Sequence, residues 1–171
     1  VLDPARQQDF TPLQGSLSRG YFSGASWLRL DIRNALAVPQ ATVLRLGPQM
    51  LDYVDIHIQQ TGSGDRPDDF QQYALGDRTA VVDKGQHYPV MGVPISFEPG
   101  ESRRVLIRIQ TTSSHLLGAE LVSRDRYEKD AIDTLIWISA YQTLALGFSL
   151  ITFLQAFRLR DLTHGLYGLL P

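Results

Sequence analysis

The 171-residue sequence contains no cysteine, so disulfides, thiolate nucleophiles and cysteine-ligated metals are outside its chemistry. It has no excess of positive charge either. Sixteen Lys and Arg against 18 Asp and Glu leave a net charge of −2, and the scattered arginines form no footprint for a nucleic-acid partner. Histidine is scarce: His57, His87, His115 and His164 show neither His-x-His nor HExxH spacing, so no metal site is expected. A Gly-x-Ser-x-Gly elbow and a glycine-rich phosphate loop are both lacking, and no cofactor is implied. Acid pairs occur at Asp52/Asp55, Asp68/Asp69 and Glu98/Glu101, but in turns or at strand ends. There Asp and Glu serve local hydrogen bonding, so they read as solvated turn residues and no catalytic pair is expected. Internal repeats and low-complexity segments are lacking as well.

One absence is local. From Thr134 to Phe157 the chain carries no charge for 24 residues. As a helix this run would extend about 36 Å, enough for a hydrocarbon layer of about 30 Å. A helix in a soluble core is usually shorter and apolar on one stripe only. Arg158 and Arg160 follow at once, and basic residues favour the cytoplasmic side, which places residues 1–133 outside the cytoplasm. The last stretch, Leu162 to Pro171, turns apolar again and reads as a second span cut at its beginning. Val1, with no basic-then-apolar leader after it, reads as a processed or trimmed start. The expected division is therefore an extracytoplasmic domain over 1–125, a linker helix and first span over 126–158, and a cytoplasmic turn with a truncated span over 159–171.

Before the span, short runs of alternating character are separated by Gly, Pro and Asp signals, the pattern of an antiparallel β-sandwich. Strands are expected over 26–34, 41–47, 53–60, 70–75, 90–97, 103–112 and 116–123. In "SWLRLDIRN", residues 26–34, Leu28, Leu30 and Ile32 share one face; Trp27, Arg29, Asp31 and Arg33 share the other. Val54, Ile56 and Ile58 likewise oppose Tyr53, Asp55 and His57, and Val105, Ile107 and Ile109 oppose Leu106 and Arg108. The first set of each predicts a core, and the second an outer face rich in aromatics, Arg, Asp and His. Gly62–Pro67 and Glu98–Glu101 predict turns between antiparallel neighbours, the second of type II. Asp125-Arg-Tyr-Glu128 has the form of a capping box, and no Pro or Gly interrupts Arg126 to Leu146, so one stiff helix is expected from sandwich to membrane.

Residues Gly20 to Asn34, Leu51-Asp-Tyr-Val-Asp-Ile-His57, Leu75-Gly-Asp77, Tyr88-Pro89 and Val105 to Ile109 together resemble, over 10–127, a known family. It is the second type of extracellular domain of bacterial seven-transmembrane receptors with diverse intracellular signalling modules. The segment from Gly147 is similar to the start of that family's membrane region. The resemblance implies a jelly-roll-like β-sandwich, similar in shape to carbohydrate-binding modules, lying in the periplasm and anchored in the bacterial inner membrane. It also implies a cytoplasmic output such as a diguanylate cyclase or histidine kinase, with no enzyme activity in this stretch. His57 stands where the family more often has an aromatic residue.

Aromatic faces stack on sugar-like rings while Arg and Asp supply directed hydrogen bonds. The available set is Trp27, Arg29, Tyr53, His57, Tyr88 and Arg108. Against a ligand site stands the plainer reading that Trp27 caps the core and that Arg29 and Arg108 pair with Asp31 or Asp55 across strands. The partners expected are a small, carbohydrate-like ligand, the membrane and a second copy in a homodimer, with no nucleic acid. The alternative is a protein-interaction or assembly module without a small ligand.

Overall fold

The computed structural model describes residues 9–48, 51–62, 64, 66–79 and 90–159. Among the described residues eight strands precede one α-helix: β1 (Leu17–Tyr21), β2 (Ala25–Arg33), β3 (Gln40–Gly47), β4 (Tyr53–Gln59), β5 (Phe70–Leu75), β6 (Gly92–Phe97), β7 (Ser102–Gln110), β8 (Ser114–Ser123) and α1 (Arg124–Leu159). They form two antiparallel four-stranded sheets, β1-β8-β3-β6 and β2-β7-β4-β5. Among the described strands only β4 and β5 are both consecutive and paired; each other successive pair belongs to different sheets. The chain divides near Glu128 into two compact units.

The core follows from the alternation. Val54 and Ile56 of β4 and Val105, Ile107 and Ile109 of β7 are wholly buried, facing Leu44 and Leu46 of β3, Val93 and Ile95 of β6 and Leu117 of β8 in one apolar cluster. Each such side chain contributes about 1.5–3 kcal/mol by leaving water. Leu28, Leu30 and Ile32 also face this cluster but are half-buried, because β2 is an edge strand with no neighbour to cover its far side.

The seven strands expected from the sequence correspond to β2 through β8. The eighth, β1, lacks alternation: Leu17-Ser-Arg-Gly-Tyr21 is mostly exposed, and its pairing with β8 shifts between Ser18 and Tyr21 where Gly20 takes φ +67°. That bulge at a sheet edge removes the period by which a strand is read.

Two local expectations are corrected. The Glu98–Glu101 turn does have Gly100 at φ +73° and the Glu101 N–H on the Glu98 carbonyl at 3.1 Å, but it joins β6 to β7 across the two sheets. It is tied to the end of β2 instead: Asn34 Nδ2 donates to the Glu98 carbonyl, and the Gly100 N–H donates to the Asn34 carbonyl. The helix begins at Arg124, two residues before the Arg126 start that a box capped by Asp125 requires. Ser123 Oγ accepts a long bond from the Arg126 N–H, at 3.4 Å, and Glu128 pairs back to Arg124 at 2.8 Å.

The first turn of α1 is fastened to the outer face of the first sheet. Tyr127 is 4% exposed, donates its hydroxyl to the Val90 carbonyl, and lies with Val43 so close to Gly92 that a Cβ there would be 2.6 Å from the ring. Beyond it α1 is long and apolar enough to cross a membrane. Trp137, Tyr141, Leu144, Phe148, Phe153 and Phe157 are each at least 59% exposed. Apolar side chains on all sides of a helix suit lipid, where a soluble protein would expose far less.

Candidate functional site

Strand pairing arranges the outer face of the second sheet in rows. Trp27, Arg108, Asp55 and Ala74 lie across one row; Arg29, Leu106, His57 and Gln72 form the next. Side chains directly opposite or diagonal on one face are within reach of each other. The Trp27 indole crosses β7 to stack on the His57 imidazole, with ring centroids 5.9 Å apart and 22° between planes. This roof explains why Leu106, pointing away from the core, is only 2% exposed.

Beside the stack is an open depression of about 560 Å³ lined by Asp55, His57, Gln72, Tyr73, Ala74 and Arg108. Arg108 Nη1 donates to Asp55 Oδ2 at 2.8 Å, and its Nη2 to Gln110 Oε1. His57 Nδ1 is buried with no partner among the described residues. Burial pushes the imidazole below its ordinary 6.5; Asp55 opposes that shift and Arg108 adds to it.

The His57 shift has a definite sign. Between the lowered folded value and 6.5, the unfolded chain holds more protons than the folded one, so stability falls as pH falls through that window. Urea unfolding followed between about pH 7 and pH 5 should show this loss, and His57→Gln should flatten the part due to the imidazole. An unchanged profile in the variant would assign the slope to other groups.

A second hollow, of about 620 Å³, opens where the loops at the end of the sheet meet, and Tyr21, Phe22, Asp52, Tyr53, Arg78 and Gln110 contribute to its wall. Asp52 is not the solvated turn residue expected. It is 8% exposed; Oδ2 accepts the Thr112 N–H at 2.6 Å and the Thr112 hydroxyl at 2.8 Å, and Oδ1 meets Arg78 Nε at 3.3 Å. The Thr112 N–H, with the Thr112 hydroxyl and more distantly Arg78, outweighs burial and holds this carboxyl below its ordinary 3.8. Glu101 likewise is held in place, with Oε1 2.9 Å from Arg103 Nε. His115, wholly buried, bonds through Nδ1 to Ser26 Oγ at 2.8 Å and meets the edge of Phe22.

Of the six residues proposed from sequence, Trp27, His57 and Arg108 thus sit together, and Tyr53 is one row away at the second hollow. Arg29 shares the face but faces other partners: Asp31 at 3.1 Å and the Phe10 ring at 5.6 Å. Tyr88 lies outside the described residues, as do His87 and His164. The Arg108–Asp55 pair is the cross-strand contact of the plainer reading; Gln72 becomes a site neighbour only through register, and Arg78 and Thr112 through loop packing, neither of which a run of alternating residues displays.

No curated protein matches the chain. The model of the 7TMR-DISM extracellular 2 family matches residues 1–123, covering the whole sandwich up to the last residue of β8. The chain belongs to that family, the extracellular sensor domain of seven-transmembrane receptors.

Proposed function

We propose that the chain is the periplasmic ligand-sensing region of a bacterial receptor held in the inner membrane, with residues 1–133 on the periplasmic side. The observation that carries the ligand is the Trp27–His57 stack beside a depression that His57 lines together with the Arg108–Asp55 pair. An aromatic platform beside fixed donors and acceptors suits an apolar-faced polyol such as a carbohydrate. The strand orders 1-8-3-6 and 2-7-4-5 support a jelly-roll reading, since two Greek keys on two sheets have this alternation. We divide the chain into a sensor domain over 1–125, a linker helix and first span over 126–158, and a turn into a second span over 159–171. The output is a cytoplasmic diguanylate cyclase or histidine kinase beyond the helices, and the sandwich itself senses without catalysis.

A bound ligand shifts an equilibrium only as far as it favours one arrangement over another. Tyr127 fastens the sandwich to the start of an unbroken helix, which supplies a stiff element for such a shift to act on. The test is calorimetry on the full chain in detergent, with neutral oligosaccharides as probes. Trp27→Ala should weaken binding about tenfold, the loss of one aromatic stack. Binding that is indifferent to Trp27 would move the site off this face, and capture of a protein ligand alone would favour the assembly module.

A further inference from the structure

The two hollows are neighbours on one ladder. Tyr53 pairs with Gln110 in the row next to Asp55 and Arg108, and Arg108 Nη2 donates to Gln110 Oε1 across the step between them. Asp55 and Arg108 wall the first hollow, and Tyr53 and Gln110 wall the second. From His57 to Tyr53 is four residues along β4, about 13 Å at strand rise. Aromatics stand at both ends: Trp27 and His57 at one, and Tyr21, Phe22 and Tyr53 at the other, where Tyr21 is 85% exposed and Phe22 is 40% exposed. The Phe22 ring lies over Gly24, where a Cβ would be 2.8 Å from it, and it contacts His115 and the Arg19 guanidinium.

We infer that the two hollows are subsites of one elongated site along β4 and β7, and that its ligand is an uncharged linear oligosaccharide of several units. This rests on the carbohydrate-sensing reading above and adds the length and charge of the ligand. Each hollow has an arginine already matched by a carboxylate, Arg108 by Asp55 at 2.8 Å and Arg78 by Asp52 at 3.3 Å. Among the described residues neither therefore offers a spare cation to a phosphate or a polyanion. Nor does the ladder offer a strand edge to a peptide, because β4 is paired with β5 and β7, and β7 with β2 and β4. What remains for recognition among the described residues is side chains: His57 and Tyr53, about 13 Å apart along β4, with the Asp55–Arg108 pair between them, a spacing that rings in a chain can match and a single ring cannot.

Chito- and cello-oligosaccharides from mono- to hexasaccharide, titrated calorimetrically into the full chain in detergent, test this. Affinity should rise roughly 100-fold from the shortest binding unit to the length that fills both hollows, then level off. Tyr21→Ala, at a side chain too exposed to affect folding, should remove most of that rise while leaving the affinity of the shortest unit unchanged. Affinity independent of length, with Trp27→Ala still weakening it, would overturn the elongated site and leave the sensing reading standing. Tighter binding of acidic oligosaccharides or of extended peptides would also overturn it. No binding by either series would contradict both readings.

Discussion

Gly76→Ala should unfold the sandwich at a temperature roughly 10 °C or more below the parent, a loss of about 3 kcal/mol. Two causes act together. Gly76 has φ +113°, a conformation that residues with a side chain rarely adopt, and a Cβ built there would lie 2.4 Å from the Asp52 carbonyl oxygen and 2.9 Å from that of Leu51. Both contacts are with backbone, which cannot rotate away as a side chain would. The same carbonyls accept the Arg78 N–H at 3.2 Å and the Asp77 N–H at 2.9 Å, so the loop has no room to retreat without losing them. Gly62→Ala is the matched control. Its φ of +72° imposes the same kind of strain with nothing within 4 Å, so it should cost only about 1 kcal/mol. Equal losses in the two variants would show that the close approach at Gly76 contributes nothing. Because the loop carries Arg78, Gly76→Ala should also weaken binding at the second hollow more than at the Trp27 end.

Tyr127→Ala should cost the sandwich about 3–5 kcal/mol and free the first turn of α1. The ring is 4% exposed and fits the space that Gly92 leaves vacant, and its hydroxyl satisfies the Val90 carbonyl. Tyr127→Phe keeps the ring and removes the hydroxyl that makes that bond, so its loss should be about 1 kcal/mol. Gly92→Ala attacks the same joint from the sheet side. Its Cβ would meet the ring at 2.6 Å and Val43 at 2.7 Å, an overpacking expected to cost about 1–3 kcal/mol. Urea unfolding separates the three. If Tyr127→Ala were as mild as Tyr127→Phe, the ring would not be the fastening between helix and sheet.

The alternating runs made most of this fold legible from residue order. Val54, Ile56 and Ile58, and Val105, Ile107 and Ile109, keep period two because both strands lie inside their sheet with one face on the core. β1 keeps no period because it is an exposed, bulged edge strand. The cross-sheet role of the Glu98–Glu101 turn was equally illegible: turn chemistry reports how a chain reverses, whereas Asn34, 64 residues before Glu98, decides where it is held. At the site, period two placed Trp27, Tyr53, His57 and Arg108 on one face. Which of them meet depends on register, and the Trp27–His57 stack spans β7, whose Arg108 pairs with Trp27 from 81 residues further along the chain, so no local pattern could insert that strand between them. Asp52 reads as a surface turn residue because its partners, Thr112 and Arg78, come from two other loops.

In the proposed receptor the sandwich stands outside the cytoplasm on a helix that crosses the membrane. None of these 171 residues is a cysteine, so a single introduced thiol is the one that this stretch offers to a label. Ser96→Cys places one on an exposed position of β6, and Arg158→Cys places one at the far end of α1. In intact cells with a permeabilised outer membrane, a membrane-impermeant maleimide should label the thiol at 96 and leave the thiol at 158 unlabelled until the inner membrane is opened. Labelling of both positions, or of 158 alone, would contradict the account.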